Sequence, residues 1–508
     1  MNREIKLGAI LSYCSLFVSI IIGILYTPFM LSHMGTSEYG IFSIALSVIS
    51  YLNIIDNGFA AGVIRFVSYY RGRGEEDKVQ SVISTSLCIY LILAVICLLL
   101  GVLLLSNLTA LYSEGLSPIE LQRLRIIISI LIVYIAVLFL SSVVQSVVMA
   151  YERFVCIKAV LLLTTVLKPL TMTPLLLLGY KSIAMTIVTV CCGLLASLIY
   201  LHYAHSYLHI RFTLLKFDRV QLKSIIKFSA PMLMIIGCDC VCRSFGVFYI
   251  GSVHGTLAVT ILSLAIQLRG YAEMFVRSLS SFFLPQLSFG AAKNMASKEV
   301  SDLFKKVSRL EMHIGLFFIT VFAVFGIPFL KYWAPGVDSG YVYCAALIIL
   351  CPLIISMSES IGEEIVKAYN QQFSQMIVFF IRTAIVVSVT LIFSRDYSFW
   401  ACAIAIGASV ILCDIIMMNV FYERKLGIDI TGFLLSLIVP FIICGSYIVL
   451  SRMLPYNTII QVVLFILLFA PLYYWLCVNK EEKTIVLNYS KLIYEKIKNY
   501  LRRNQNVC

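Results

Sequence analysis

The 508-residue chain is 61% hydrophobic and only 13% charged, with a mean hydropathy of +0.96. A water-facing surface of that area needs far more charge, so a soluble enzyme is excluded and an all-α polytopic membrane protein is expected. The net charge of +13 would suggest nucleic acid in a soluble chain, but cytoplasmic loops of membrane proteins also collect Lys and Arg, so no nucleic-acid partner is expected.

Taken in chain order, stretches of about 20 mostly apolar residues lie near 10–31, 39–67, 80–106, 125–150, 155–178, 182–204, 226–251, 256–289, 312–334, 341–367, 373–394, 398–421, 431–451 and 457–478. These fourteen candidates predict about 14 transmembrane helices, and an even number places both termini on one side. Met1 to Leu7 lacks the cleavage pattern of a removed signal peptide and reads as a cytoplasmic lead-in. With the N-terminus inside, 27 of the 39 Lys and Arg residues fall in inner segments, six in outer loops and six within spans. That asymmetry obeys the positive-inside rule and predicts cytoplasmic termini.

Helices two and eight are unusually long and share a weak likeness at an offset near 220, pairing Ser43 with Ser263 and Tyr51 with Tyr271. Six helices precede the basic connector and a second set begins after it in the same orientation, which predicts two parallel six-helix lobes related by an axis along the membrane normal. The expected organisation is an N-terminal lobe at 1–204 (helices one to six), a cytoplasmic connector at 205–225 and a C-terminal lobe at 226–421 (helices seven to twelve). Helices thirteen and fourteen follow at 422–478. Residues 479–508 alternate Lys with Leu, Ile and Tyr, which fits an amphipathic helix on the anionic inner leaflet.

Chemistry-bearing motifs are few. Gly35 to Gly40 is followed by Ile41 rather than Lys and Ser/Thr, so nucleotide hydrolysis has no P-loop to run on. Neither paired Cys/His ligand spacing nor a catalytic carboxylate cluster at the surface is present, and no metal, cofactor or enzymatic activity is expected. The sixteen cysteines are scattered singly or in apolar runs such as Cys191-Cys192, and read as reduced packing residues.

What remains is charge inside the spans, which is costly unless it faces water or a partner and so marks candidate sites. Arg243, Arg269, Arg277, Lys168 and Arg65 are candidate cations for an anionic substrate. Asp56, Asp239, Glu273 and Asp414 are candidate carboxylates for ion coupling. Asp239 with Arg243, Arg269 with Glu273, and Glu273 with Arg277 stand at i, i+4 and share helical faces. A competing reading has these pairs neutralise each other and aid assembly, while Arg65 snorkels to the inner interface. Arg382 reads as an isolated cation. Lys227-Phe228-Ser229-Ala230-Pro231 reads as a hinge opening helix seven.

Several short motifs carry a family resemblance: Glu38-Tyr39-Gly40 at the start of helix two, Asp56-Asn57-Gly58-Phe59 within it, Arg65 and Arg71-Gly72-Arg73-Gly74 at its exit, and Phe228-Ser229-Ala230-Pro231 in helix seven. With them the chain resembles the O-antigen and polysaccharide flippase branch of the multidrug/oligosaccharidyl-lipid/polysaccharide (MOP) exporter superfamily. Many relatives carry Leu or Phe where this chain has Asn57. The resemblance implies a V-shaped MATE-like arrangement of two six-helix lobes plus two C-terminal helices. It implies a flippase moving an undecaprenyl-diphosphate-linked oligosaccharide from the inner to the outer leaflet of the bacterial cytoplasmic membrane, with the lipid tail left among membrane lipids. Proton or sodium coupling and an association with the polymerase and chain-length proteins of the same pathway belong to that expectation. The alternatives are a cation-coupled multidrug exporter or a peptidoglycan-precursor flippase on the same fold, and, from another class, a membrane glycosyltransferase or polymerase.

Overall fold

A computed structural model of the chain describes residues 3–210, 212, 214, 216–276, 280, 287, 297–369, 371–453, 458–479 and 482–483. These residues contain no strand. They form α1 (Arg3–Met34), α2 (Thr36–Gly72), α3 (Glu76–Tyr112), α4 (Pro118–Ala150), α5 (Phe154–Leu177), α6 (Ser182–Ser206), α7 (Arg219–Val253), α8 (Gly255–Val276), α9 (Ser297–Trp333), α10 (Ser339–Ser358), α11 (Ser360–Ala368), α12 (Gln372–Tyr397), α13 (Phe399–Leu426), α14 (Ile430–Met453) and α15 (458–477). Among the described residues, eleven of these helices are long and apolar enough to cross a membrane: α1, α3 to α7, α9, α10 and α12 to α14. The remaining expected spans coincide with α2, α8 and α15, which are helical but outside the eleven, α15 being a shorter apolar helix. Outward-facing leucines, isoleucines and valines such as Leu99, Val102 and Leu103 on α3 give these helices a surface suited to hydrocarbon.

The chain divides into two compact units. The first comprises Met1–Met274, Ile327–Leu353 and Asn370–Met418. Within it α2 packs along α7 and α4, α3 lies against α4, α1 against α5, and α12 against α7. Two glycines explain how α2 and α7 come so close. A Cβ on Gly58 would stand 2.3 Å from the Leu233 side chain, and one on Gly62 would stand 2.6 Å from Ser229 Oγ. Spaced i, i+4, they form a small-residue face of the kind that lets membrane helices approach. Beside this seam, Val63 and Val67 of α2, Ile83 and Tyr90 of α3, Phe139 and Val143 of α4 and Ile225 of α7 form one buried apolar cluster.

Two helix boundaries bear on the expected organisation. α6 runs to Ser206 and α7 begins at Arg219, within the expected connector at 205–225. Asp218 sets that start: its carboxylate accepts a hydrogen bond from the Val220 N–H at 2.7 Å, satisfying one of the orphan donors of the first turn. The expected hinge at 227–231 lies inside α7, which continues through Pro231.

The second unit comprises Phe275–Gly326, Ile354–Tyr369 and Asn419–Cys508. Phe304 of α9 packs edge-on against Phe433 of α14 and lies beside Tyr422 of α13. Glu482, just beyond α15, is buried and ties the chain back to α9: Arg309 Nε donates to it at 2.8 Å, and His313 lies 3.5 Å from its other oxygen. Burial alone would raise its pKa, but the neighbouring His313 and the hydrogen bonds from Arg309 and the Asn479 N–H hold it down to about 2. Of the expected amphipathic tail, only residues 479 and 482–483 belong to the described set.

Candidate substrate site

The intramembrane charges that the sequence singled out converge in the first unit. On α8, Arg269 Nε donates to Glu273 Oε1 at 2.9 Å, the i, i+4 pair expected. On α7, Arg243 Nε donates to Asp239 Oδ2 at 2.8 Å, again at i, i+4. The helices are joined by Arg243, whose Nη1 donates to Glu273 Oε2 at 2.5 Å. From the other side Arg382 of α12 donates through Nη2 to Asp239 Oδ1 at 3.1 Å and through Nη1 to Asp414 Oδ2 of α13 at 2.9 Å.

The result is a ladder of alternating sign across four helices: Arg269, Glu273, Arg243, Asp239, Arg382, Asp414. Among the described residues three guanidiniums face three carboxylates, so their formal charges balance. Arg382 is therefore not the isolated cation that the sequence suggested. Its partners stand 143 and 32 residues away in sequence, and no local spacing could have revealed them. Asp414 sits in a π-helical stretch, Val410–Met417, of α13, a wide turn of the kind often found where a helix serves a site.

Burial along the ladder is uneven, and this fixes what it can do. The Arg269 and Arg382 side chains are 3% and 6% exposed, whereas those of Arg243 and Asp239 are both 34% exposed. Arg243 and Asp239 line a cavity of about 520 Å³ bounded by α1, α2, α7 and α8. The remaining wall is mostly neutral and rich in hydroxyls: Tyr39, Ser43, Ser47, Ser50, Ser244, Ser263 and Gln267 face it among apolar side chains. Ser43 and Ser263, paired at an offset of 220, meet at this one cavity. Gln267 organises one end, accepting from Tyr39 Oη at 2.9 Å and donating to Thr27 Oγ1 at 3.0 Å and Tyr271 Oη at 2.6 Å. That polar belt escaped the sequence reading, which followed charge alone.

The other sequence candidates stand apart. Arg65 is exposed on α2 and stacks over the Phe228 ring, 4.3 Å from its centroid. Lys168 is partly buried on α5 and forms no ion pair with a described residue. Asp56 lies in α2, but its side chain, like the whole of Arg277, falls outside the described residues.

Known proteins share the family and the fold. The profile of a family described as "Polysaccharide biosynthesis protein" matches residues 6–290. No curated protein matches the chain. Among solved structures, the lipid II flippase MurJ in an inward closed conformation superimposes with a TM-score of 0.70 at 15% identity, covering 92% of this chain and 99% of that one. An inward-facing multidrug-resistance MATE transporter of the MOP superfamily gives a TM-score of 0.63 at 14% identity over 81% of this chain and 98% of its own. A MOP superfamily transporter from Pyrococcus furiosus, described as having a binding pocket of reverse polarity, gives 0.61 at 14% identity over 84% and 99%. At such identities the likeness establishes the fold, which is that of the MOP exporters.

Proposed function

The chain belongs to the polysaccharide biosynthesis protein family, and from that premise we propose that it is a flippase for an undecaprenyl-diphosphate-linked oligosaccharide, the repeat unit of a bacterial surface polysaccharide. The observation that carries this reading is the pairing of a hydroxyl-rich cavity with one accessible guanidinium, Arg243. Serine hydroxyls and the Gln267 amide both donate and accept hydrogen bonds, as sugar hydroxyls do. An arginine presents the planar fork that suits phosphate oxygens. The long prenyl tail needs no site, because the apolar outer surface leaves it in the bilayer. Alternating access of two lobes, 1–204 and 226–421, would then carry the head group across.

Direction follows from electrostatics. With the cytoplasm negative, each negative charge moved outward gains about 2.3 kcal/mol per 100 mV, so a diphosphate moves downhill toward the outer leaflet. Residence in the cytoplasmic membrane with both termini inside is the orientation that the distribution of Lys and Arg supports. Proton or sodium coupling through Asp239, Glu273, Asp414 or Asp56 is part of the proposal, as is exchange of product with polymerase and chain-length proteins.

Deletion of the gene tests substrate and direction together. The expected result is lipid-linked repeat units accumulating on the inner leaflet, restored to the surface by the wild-type chain and not by Arg243→Ala present at equal level. Normal surface polysaccharide in the deletion would overturn the assignment. The equal exposure of Asp239 in the cavity favours one second reading, a cation-coupled exporter of cationic drugs. In that case the deletion would sensitise cells to such compounds while leaving polysaccharide intact.

A further inference from the structure

We propose that Arg243 is a transferable cation that lets go of Asp239 and Glu273 and itself grips the phosphate of the bound head group, and that Arg269 and Arg382 are positioning residues that keep those two carboxylates paired while it is gone. This rests on the reading of the substrate as a prenyl diphosphate.

The stereochemistry of the ladder is built for such an exchange. Asp239 turns Oδ2 to Arg243 and Oδ1 to Arg382. Glu273 turns Oε2 to Arg243 and Oε1 to Arg269. Each carboxylate that Arg243 holds thus has a second arginine on its other oxygen. When Arg243 departs, one oxygen of each is released and neither carboxylate is stranded. Stranding a buried charge is what makes the loss of one partner from an ordinary buried pair so costly.

The three arginines are also not equivalent in freedom. Arg269 and Arg382 are almost fully buried and neither lines the cavity. Arg382 is further fixed by its two carboxylates and by the face of Phe379, 4.3 Å from its guanidinium carbon. Arg243 alone among the three reaches the cavity, and its guanidinium is divided between two acceptors rather than bound to either as a parallel pair of hydrogen bonds. A diphosphate that presents two oxygens to that fork replaces two single hydrogen bonds with a bidentate one.

The test is binding of farnesyl diphosphate, a short prenyl diphosphate, to the purified full-length protein in detergent, read beside the thermal midpoint. Arg243→Gln should lower affinity about tenfold or more while shifting the midpoint less than Arg269→Gln does. Arg269→Gln takes a guanidinium from Glu273 and so tightens the hold of that carboxylate on Arg243, and it should weaken binding severalfold although Arg243 is intact. Adding Glu273→Gln to that variant releases Arg243 again and should restore affinity to within about threefold of wild type. A purely structural role for Arg269 gives no such rescue. If Arg269→Gln fails to fold, Glu273→Gln alone serves, because removing one of Arg243's two acceptors should raise affinity above wild type. Wild-type affinity in Arg243→Gln, or no rescue by Glu273→Gln, overturns the exchange. Failure of the wild-type protein to bind farnesyl diphosphate at all overturns the substrate reading instead.

Discussion

Carboxylates with several partners stand at two places described in the first unit, and they are held in different ways. In the ladder, Asp239 and Glu273 each lie between two arginines from different helices. At the other site, Glu120 of α4 closes a capping box with Ser117, whose N–H and Oγ donate at 3.0 and 2.9 Å, and also accepts from Ser37 Oγ and from Thr256 Oγ1 at 3.1 Å. Nearby, Glu38 of α2 accepts from the hydroxyl of Ser182 and pairs with Arg123. Neutral donors tie Glu120 to the starts of α2, α4 and α8, and that carboxylate works as a static fastener. Shared cations make the ladder a set of interchangeable holds. On the exchange proposed for Arg243, duplicate partners mark the place where charge moves, and dedicated partners mark the place where it does not.

The largest effect that would test this contrast is the removal of a buried cation that holds two carboxylates at once. Arg382→Ala takes the guanidinium from both Asp239 and Asp414 and should cost about 3–5 kcal/mol, the range for breaking a buried pair. Thermal unfolding in detergent would show it as the steepest loss in the ladder, with transport abolished. A stability equal to wild type would mean that Arg382 is not a fixed point and that the ladder does not depend on it.

Two of the ladder's five ion pairs were legible in the sequence and three were not, for a simple reason. Helical periodicity places residues four apart on one face, so Asp239 with Arg243 and Arg269 with Glu273 could be paired before any fold was known. The links between helices depend on which faces meet, and that is set by the packing of α7 on α8 and α12. Arg382 therefore looked solitary. Helices were legible because long apolar runs have little else to become in a membrane. The start of α7 was missed by several residues because Arg219 to Lys227 is polar, and the Asp218 cap overrides that composition. The small-residue face of Gly58 and Gly62 was visible only as part of a motif, and its use as a contact with Leu233 and Ser229 came from the fold.

Outside the first unit, Glu482 offers an intermediate case, held by Arg309 and His313 but exposed to changes in pH. Its folded pKa of about 2 lies below the usual value of a glutamate, so its contribution to stability is full above about pH 5 and is lost as the pH falls toward 2. Glu482→Gln should cost on the order of 2 kcal/mol at neutral pH and little at pH 2. Unfolding midpoints compared across that range should converge at the acid end. Parallel curves at all pH values would show that Glu482 holds the segment by shape and not by charge.

The smallest expected effect bears most directly on the contrast between the two kinds of site. Glu120→Gln keeps an acceptor oxygen for Ser37 and Thr256 and gives up only the charge and one of the Ser117 hydrogen bonds, because no arginine faces it in the ladder's manner. The cost should be about 1 kcal/mol, typical of a helix cap, and transport should survive. The corresponding change in the ladder, Glu273→Gln, takes the carboxylate from the buried Arg269 and so costs more stability, and it should also alter anion affinity, since it changes what Arg243 must leave behind. Two isosteric substitutions of glutamates in the same unit would then separate: one seen only in the melting curve, the other in the binding isotherm as well. Were Glu120→Gln instead to change affinity as much as Glu273→Gln, partner duplication would carry no information about where charge moves, and the exchange role of Arg243 would lose its structural basis.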